Sequence, residues 1–230
     1  MAYTGSKYIE DDYLSISMGH VRKTSHINKF GYNDALSGSY ETIHDAGGIY
    51  SYIGTAGTAS IAGASDAGAV VEVQGLDSNY NIAIENITVG STGSISFIRV
   101  FRARVVSVTS GTTNAGNITV TVDSAVRATI LAGNGQTLMA VYTVPAGKTG
   151  YLVKFQGSVD KNTDVIFKIL ARPFNGAFNL KGQIGTFGTP VTYDYPVPLK
   201  FDAKTDIEIQ AKAGATCGGG AIFDIILVDK

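Results

Sequence analysis

The chain has 230 residues, 44% of them apolar, which suits one large β domain or two smaller units and supplies a sizeable core. Charged residues make up only 16% and the formal net charge is −1, which argues against a disordered tail protein and against bulk electrostatic capture of nucleic acid or anionic membrane. The single Cys217 forbids an intrachain disulfide, no apolar run reaches the roughly 18 residues that span a bilayer, and MAYTGSKYIEDDYL lacks the apolar centre of a signal peptide, so synthesis in the cytoplasm without classical export is expected.

Residues 1–45 differ from the rest. They hold all three histidines (His20, His26 and His44) and the acidic run Glu10-Asp11-Asp12, with poor periodicity. Only YLSISMGHV and HINKF suggest short strands. The reading is an extended N-terminal arm that orders against a partner. Tyr8, Tyr13, Leu14, Ile16, Ile27 and Phe30 are too widely spaced to build a core. Each could bury on a partner surface, at about 1.5–3 kcal/mol per large side chain before ordering costs. The alternative is that the arm completes the protein's own sheet.

From Ala46 onward the pattern is β. GIYSYI alternates between glycines, and GTAGTASIAGASDAGA is expected to hold a short edge strand. AVVEVQGL and NIAIENITV flank the turn Asp77-Ser78-Asn79, with Ile82 and Ile84 on the inward face and a bulge near Glu85-Asn86. SISFIRVFRARVVSV alternates, but neither face is purely apolar, so this strand should meet two environments. NITVTVD follows a loop rich in turn residues. TLMAVYTV, YLVKFQGSV and TDVIFKILARP read as a three-strand meander. Tyr151, Val153 and Phe155 share one face of the second strand, and Val165, Phe167 and Ile169 one face of the third. Pro196 and Pro198 place VTYDYPVPLKF at a sheet edge, and DIEIQAKA and AIFDIILVD close the chain. The fold expected is all-β, a β-sandwich of jelly-roll type over residues 46–230, with a possible sub-boundary near 131–135.

Ala146-Gly147-Lys148-Thr149 looks like the end of a phosphate-binding loop. The position five before Gly147 is Tyr142 instead of glycine, and a strand follows where a helix is required. PAGKTG is therefore a turn, with Gly147 supplying a positive φ and Lys148 facing solvent. Asp77-Ser78-Asn79-Tyr80-Asn81 opens like a calcium loop but lacks the glycine and the closing glutamate. The histidine spacing fits no compact zinc site. No metal, cofactor or catalytic set is expected, and the neighbours of Cys217 are small and neutral.

Arg99, Arg102 and Arg104, interleaved with Phe97 and Phe101, would suit a stacking platform for single-stranded nucleic acid or a strand meeting an acidic neighbouring subunit. With no wider basic field, the acidic neighbour is preferred.

Several segments, INKFGYN, ETIHDAGGIYSY, VEVQGLDSNYN, FIRVFRARV, NGQTLMAVYTVPAGKTGYL and PLKFDAKTDIEIQAKA…FDIILVD, together resemble virion structural proteins of tailed bacteriophages. They cover most of residues 27–229 in order. The resemblance implies a non-enzymatic capsid decoration or cement protein, or a head fibre. It would be made in the host cytoplasm, located in the virion and bound to the major capsid protein or other virion proteins, with no nucleic acid or membrane partner. A homotrimer follows by analogy with decoration proteins. The alternatives are a tail-associated receptor- or carbohydrate-binding module, with tyrosines 50, 52, 193 and 195 as candidate platform residues, and a glycan-cleaving enzyme with two convergent carboxylates.

Overall fold

The computed structural model describes residues 12–230. One short helix, α1 (Asp12–Ser17), precedes fifteen strands: β1 (Thr24–Leu36), β2 (Glu41–Thr42), β3 (Gly57–Ala62), β4 (Val70–Asp77), β5 (Ile82–Thr88), β6 (Thr92–Ser107), β7 (Ile118–Val122), β8 (Ala125–Ile130), β9 (Val141–Thr143), β10 (Lys148–Val159), β11 (Asp164–Arg172), β12 (Asn179–Phe187), β13 (Val191–Phe201), β14 (Asp206–Ala213) and β15 (Cys217–Asp229). The protein is all-β, as its composition implies.

The strands form three antiparallel sheets, where a jelly roll has two. A four-stranded sheet has the order β1-β15-β10-β13. A five-stranded sheet has the order β12-β11-β14-β2, with β9 also pairing to β14. These two face each other across a core built from Leu36, Ile43, Leu152, Phe155, Phe167, Ile209, Phe223 and Ile225 among others. The third sheet, β5-β4-β6-β3-β7-β8, curls into a half-barrel around its own core of Ile61, Val71, Val73, Phe97, Val100, Ile118 and Ile130. The half-barrel strands run continuously from Gly57 to Ile130, between β2 and β9 of the sandwich.

Residues 24–43, expected within an arm that ends at residue 45, belong to the sandwich. β1 pairs with β15 from Thr24↔Val228 to Leu36↔Cys217, β2 pairs with β14, and Leu36 and Ile43 are fully buried. The sandwich completes its sheets with the arm because β15 and β14 would otherwise carry unpaired backbone groups into the core. YLSIS, expected as strand, is α1. HINKF lies within β1.

The meander is also corrected. β10 and β11 are consecutive but unpaired, one in each sandwich sheet, and the Asp160–Thr163 turn crosses between them. Phe155 and Phe167 meet edge-on across the core at 5.8 Å. β11 alternates as expected, with Val165, Phe167, Ile169 and Ala171 buried. β10 does not, because its register slips between Leu152 and Lys154 and puts Leu152 and Phe155 on the same face. β13 ends its sheet, where its prolines leave no ladder bond unmade. β3, expected at an edge, is central, between β6 and β7. GIYSYI forms no strand.

β6 meets two environments. Register shifts against β4 break its alternation, so Phe97, Val100 and Ala103 all enter the half-barrel core while Phe101 packs on both cores. The β4–β5 hairpin, in contrast, runs without a bulge. Ala83 and Ile87 therefore face inward, and Ile82 and Ile84 face out. Glu85, in phase with the inward residues, accepts hydrogen bonds from the Ser94 and Ile95 amides and the Ser94 hydroxyl.

Pro145-Ala146-Gly147-Lys148 is a turn closed by the Lys148 amide on the Pro145 carbonyl, with Gly147 at φ +73. Its backbone amides form no phosphate cradle. Lys148 is not free in solvent as expected. Its ammonium pairs with Asp229 across the β10–β15 ladder.

Candidate functional site

Three of the residues singled out in the sequence, Ile27, Phe30 and Arg102, converge on one groove of about 530 Å³ where β1 of the sandwich passes over β4, β5 and β6 of the half-barrel. β1 and β5 are the outer strands of their sheets, so the groove opens between two unpaired edges. Its apolar wall is Ile27, Phe30, Ile82, Ile84 and Phe101. Ile82 and Ile84 are 52% and 54% exposed, high for isoleucines on a strand. Gly75 lines the same groove. A methyl there would overlap the Arg99 carbonyl, so the close approach of β4 to β6 at this bulge requires glycine.

The polar side of the groove is cationic. Lys29 is 3% exposed, and its ammonium donates to the Phe101 carbonyl. Burial, with Arg102 adding like-charge repulsion, holds the Lys29 pKa well below that of a free lysine. Arg102 donates to the Asn28 carbonyl at 3.2 Å and lies over the Phe30 ring. Burial, with Arg104 nearby, lowers its pKa too. Two carboxylates near the groove are engaged elsewhere. Glu72 takes Arg104 at 2.8 Å and the Gln74 amide, and Asp224 takes the Asn28 amide and His26.

The remaining singled-out residues separate. Arg99 does not reach the surface; it is buried against Asp206 with Nε–Oδ1 at 2.7 Å. Arg104 is exposed but paired with Glu72. Tyr13, Leu14 and Ile16 sit on α1, outside the groove lining, with Tyr13 and Leu14 exposed. Tyr8 lies outside the described residues.

Asp206 is the centre of a buried junction. Its Oδ1 accepts from Arg99 and Thr143, and its Oδ2 from Arg99 and Arg172. Tyr52 lies between the guanidinium groups of Arg99 and Arg172, at 5.3 and 4.4 Å from its ring. Two residues along β14, Glu208 accepts from Thr42 and Gln210, and burial raises its pKa. Asp206 joins β6 of the half-barrel to the sandwich, while Glu208 ties β2 to β14 within the sandwich. The four candidate platform tyrosines divide as well: Tyr50 is buried, with its hydroxyl on the Val100 carbonyl, while Tyr193 and Tyr195 stack edge-on at 4.8 Å on β13.

A smaller cleft of about 150 Å³ lies beside His44, Asp45 and Arg127. Asp45 accepts from the Leu138 amide, and burial raises its pKa to about 7. Among the described residues, no group of His, Cys, Asp and Glu could hold a metal ion. Asp77 instead caps its own turn, accepting from the Asn79 and Asn81 amides.

Sequence reasoning missed Lys29, Ile82 and Ile84 as groove residues. The isoleucines fit an alternating strand in either phase, and the available signal was Glu85-Asn86, which fixes the phase only once Ser94 is known to cap Glu85.

No family model matches the chain, and no curated protein matches it. Among solved structures, the mitogen derived from Yersinia pseudotuberculosis is similar over 36% of this chain and 80% of its own, at 10% identity and a TM-score of 0.20. The infectious bursal disease virus Gt strain structure is similar over 98% of this chain and 76% of its own, at 9% identity and a TM-score of 0.24. The Gx strain structure gives 11% identity and a TM-score of 0.18. At these scores none of the likenesses bears on function.

Proposed function

We propose that the chain is a non-enzymatic structural protein of a tailed-bacteriophage virion, a capsid decoration or cement protein or a head fibre, that binds the major capsid protein or another virion protein through the β1–β5 groove. The observation that carries this is the pair of half-exposed isoleucines beside a concave apolar wall between two open sheet edges. Such a surface is costly to leave in water and is suited to a protein partner. The segment resemblance supplies the virion setting, and a homotrimer, placed on the head by analogy, would multiply a modest single contact.

The test is to locate the chain in purified particles by imaging and mass spectrometry, then to introduce Ile84→Asp. This variant should fold, because the side chain is half-exposed, but be lost from the particle. Full incorporation of the folded variant would remove the groove from the interface.

A tail-associated carbohydrate- or receptor-binding role is the second reading, favoured by Tyr193, which is 46% exposed beside Tyr195. Glycan binding that is lost on Tyr193→Ala would support it.

A further inference from the structure

Lys29 and Arg102 meet at the polar side of the groove with no carboxylate in contact; Glu72, held by Arg104, acts on Arg102 only from beyond ion-pair distance. Among the described residues, no carboxylate lies within ion-pair distance of either group. The Lys29 ammonium has three N–H groups, and the structure gives it one acceptor, the Phe101 carbonyl. The Arg102 guanidinium has five, and it has one acceptor, the Asn28 carbonyl. A cation removed from water is tolerated when paired and hydrogen-bonded; Lys29 is buried with one acceptor, and the part-exposed Arg102 beside it keeps N–H groups open to a ligand. The rest of the wall is mainly aliphatic and aromatic; its polar members, His26, Asn28 and Gln74, already have partners in Asp224 and Glu72. A ligand complementary to this surface has a carboxylate at one end and apolar groups beside it.

Taking the groove as the partner site proposed above, we infer that it reads an acidic side chain. An extended aliphatic segment of the partner protein inserts an Asp or Glu carboxylate between Lys29 and Arg102, and its neighbouring residues cover Ile82 and Ile84. The carboxylate accepts the free N–H groups of both cations, and charge-assisted bonds in a site closed to water are stronger than their surface counterparts. Lys29 and Arg102 thereby set specificity, because a partner offering an amide leaves a desolvated cation unpaired. The open edges of β1 and β5 favour an extended protein segment over a small amphiphile, since either can add main-chain hydrogen bonds.

The full-length protein should be used to select binders from a displayed library of random heptapeptides, with Ile84→Asp protein as the groove control. The expected result is peptides with Asp or Glu beside aliphatic residues. Their affinity should fall roughly ten- to hundredfold on Lys29→Met and on Arg102→Gln protein, the loss of a charged hydrogen bond. Lys29→Met removes a desolvated cation and should fold, and Arg102→Gln provides an independent variant; a native amide spectrum confirms each. Peptides that depend on Ile84 but lack an acid, or bind both cation variants as well as the parent, overturn the inference while leaving the groove as a partner site. Peptides indifferent to Ile84→Asp, or no enrichment, overturn both. Sodium octanoate is the small-molecule arm. Groove binding by octanoate with no groove-dependent peptide makes the ligand a small amphiphile and overturns the commitment to a protein segment.

Discussion

Arg99 on β6 and Asp206 on β14 form a two-pronged ion pair, Nε to Oδ1 at 2.7 Å and Nη2 to Oδ2 at 3.1 Å, that fastens the half-barrel to the sandwich. Arg172 shares the same carboxylate, so the two sides of the pair are not equivalent. Asp206→Ala leaves two guanidinium groups facing each other in a buried site and should cost about 3–5 kcal/mol, the range for breaking a buried pair. Arg99→Ala leaves Asp206 neutralised by Arg172 and should cost less. Urea unfolding of both variants checks the order.

Gly31 and Gly147 should respond differently to alanine. At Gly31 a methyl would overlap the Ile43 carbonyl and the Ala140 amide, both backbone atoms that cannot swing away. At Gly147 nothing lies within 4 Å and only φ +73 opposes the change. Gly147→Ala should cost about 1 kcal/mol, and Gly31→Ala clearly more, with chemical-shift changes along Ile43 and Ala140.

Asp45 should make the protein less stable as pH rises from about 4 to about 7. Its pKa is raised from 3.8 to about 7 in the folded state. Across that window the native state holds a proton that the unfolded state has released, so folding weakens with rising pH and levels off above 7. Asp45→Asn keeps an acceptor for the Leu138 amide and removes the titration. Its advantage should grow from near zero at pH 4 to about 1–2 kcal/mol at pH 8, allowing for the side chain's partial exposure. A flat difference between the two proteins across this range would contradict the assignment.

Lys29 has the opposite pH signature. Its folded pKa lies well below the ordinary 10.5, so between those two values the unfolded state binds the extra proton and stability rises with pH. Lys29→Met should abolish that rise and be at least as stable as the parent at neutral pH, because it replaces an uncompensated buried cation with an apolar chain of similar length. Denaturant midpoints at neutral and alkaline pH give both readings.

A chain beginning at Ala46 should not fold. It lacks β1, which lies against the whole length of β15, and it lacks Leu36, Ile43 and the Thr42 hydroxyl that holds Glu208. Circular dichroism and amide dispersion would report this directly. A well-dispersed spectrum from the truncated chain would show that β1 is dispensable to the sandwich.

Much of the strand content was legible because alternation survives where the strand itself carries no bulge, as in β11 along β14, and because paired prolines mark an edge, as in β13. It failed where a bulge resets the phase. Val153 in β10 and the slips in β6 cannot be seen without the partner strand, since the extra residue is defined by what it fails to face. The arm misled for a related reason. HINKFGYNDAL mixes polar and apolar residues on both faces and looks unable to build a core, yet the face of Lys29, Gly31, Asn33 and Leu36 is buried once β15 supplies the rest of the sheet. For the site, Phe30 and Arg102 were visible by residue type. Lys29 was not, because one lysine in a mixed segment has no signature until the fold places it beneath Phe101.

The pairing of β1 with β15 joins the start of the sandwich to the last strand of the chain, while the half-barrel is contiguous between them. On a ribosome, the half-barrel strands are complete once Ile130 has emerged and can condense while β1 waits, unpaired, until β15 follows from Cys217. The four-stranded sheet cannot close until β15 has been made. Such long-range closure is slow and leaves an open edge on the nascent chain. Nascent chains long enough for β8 to clear the exit tunnel but ending before Cys217 should therefore contain a protease-resistant half-barrel and a cleavable β1, and resistance of β1 should appear only once β15 has emerged.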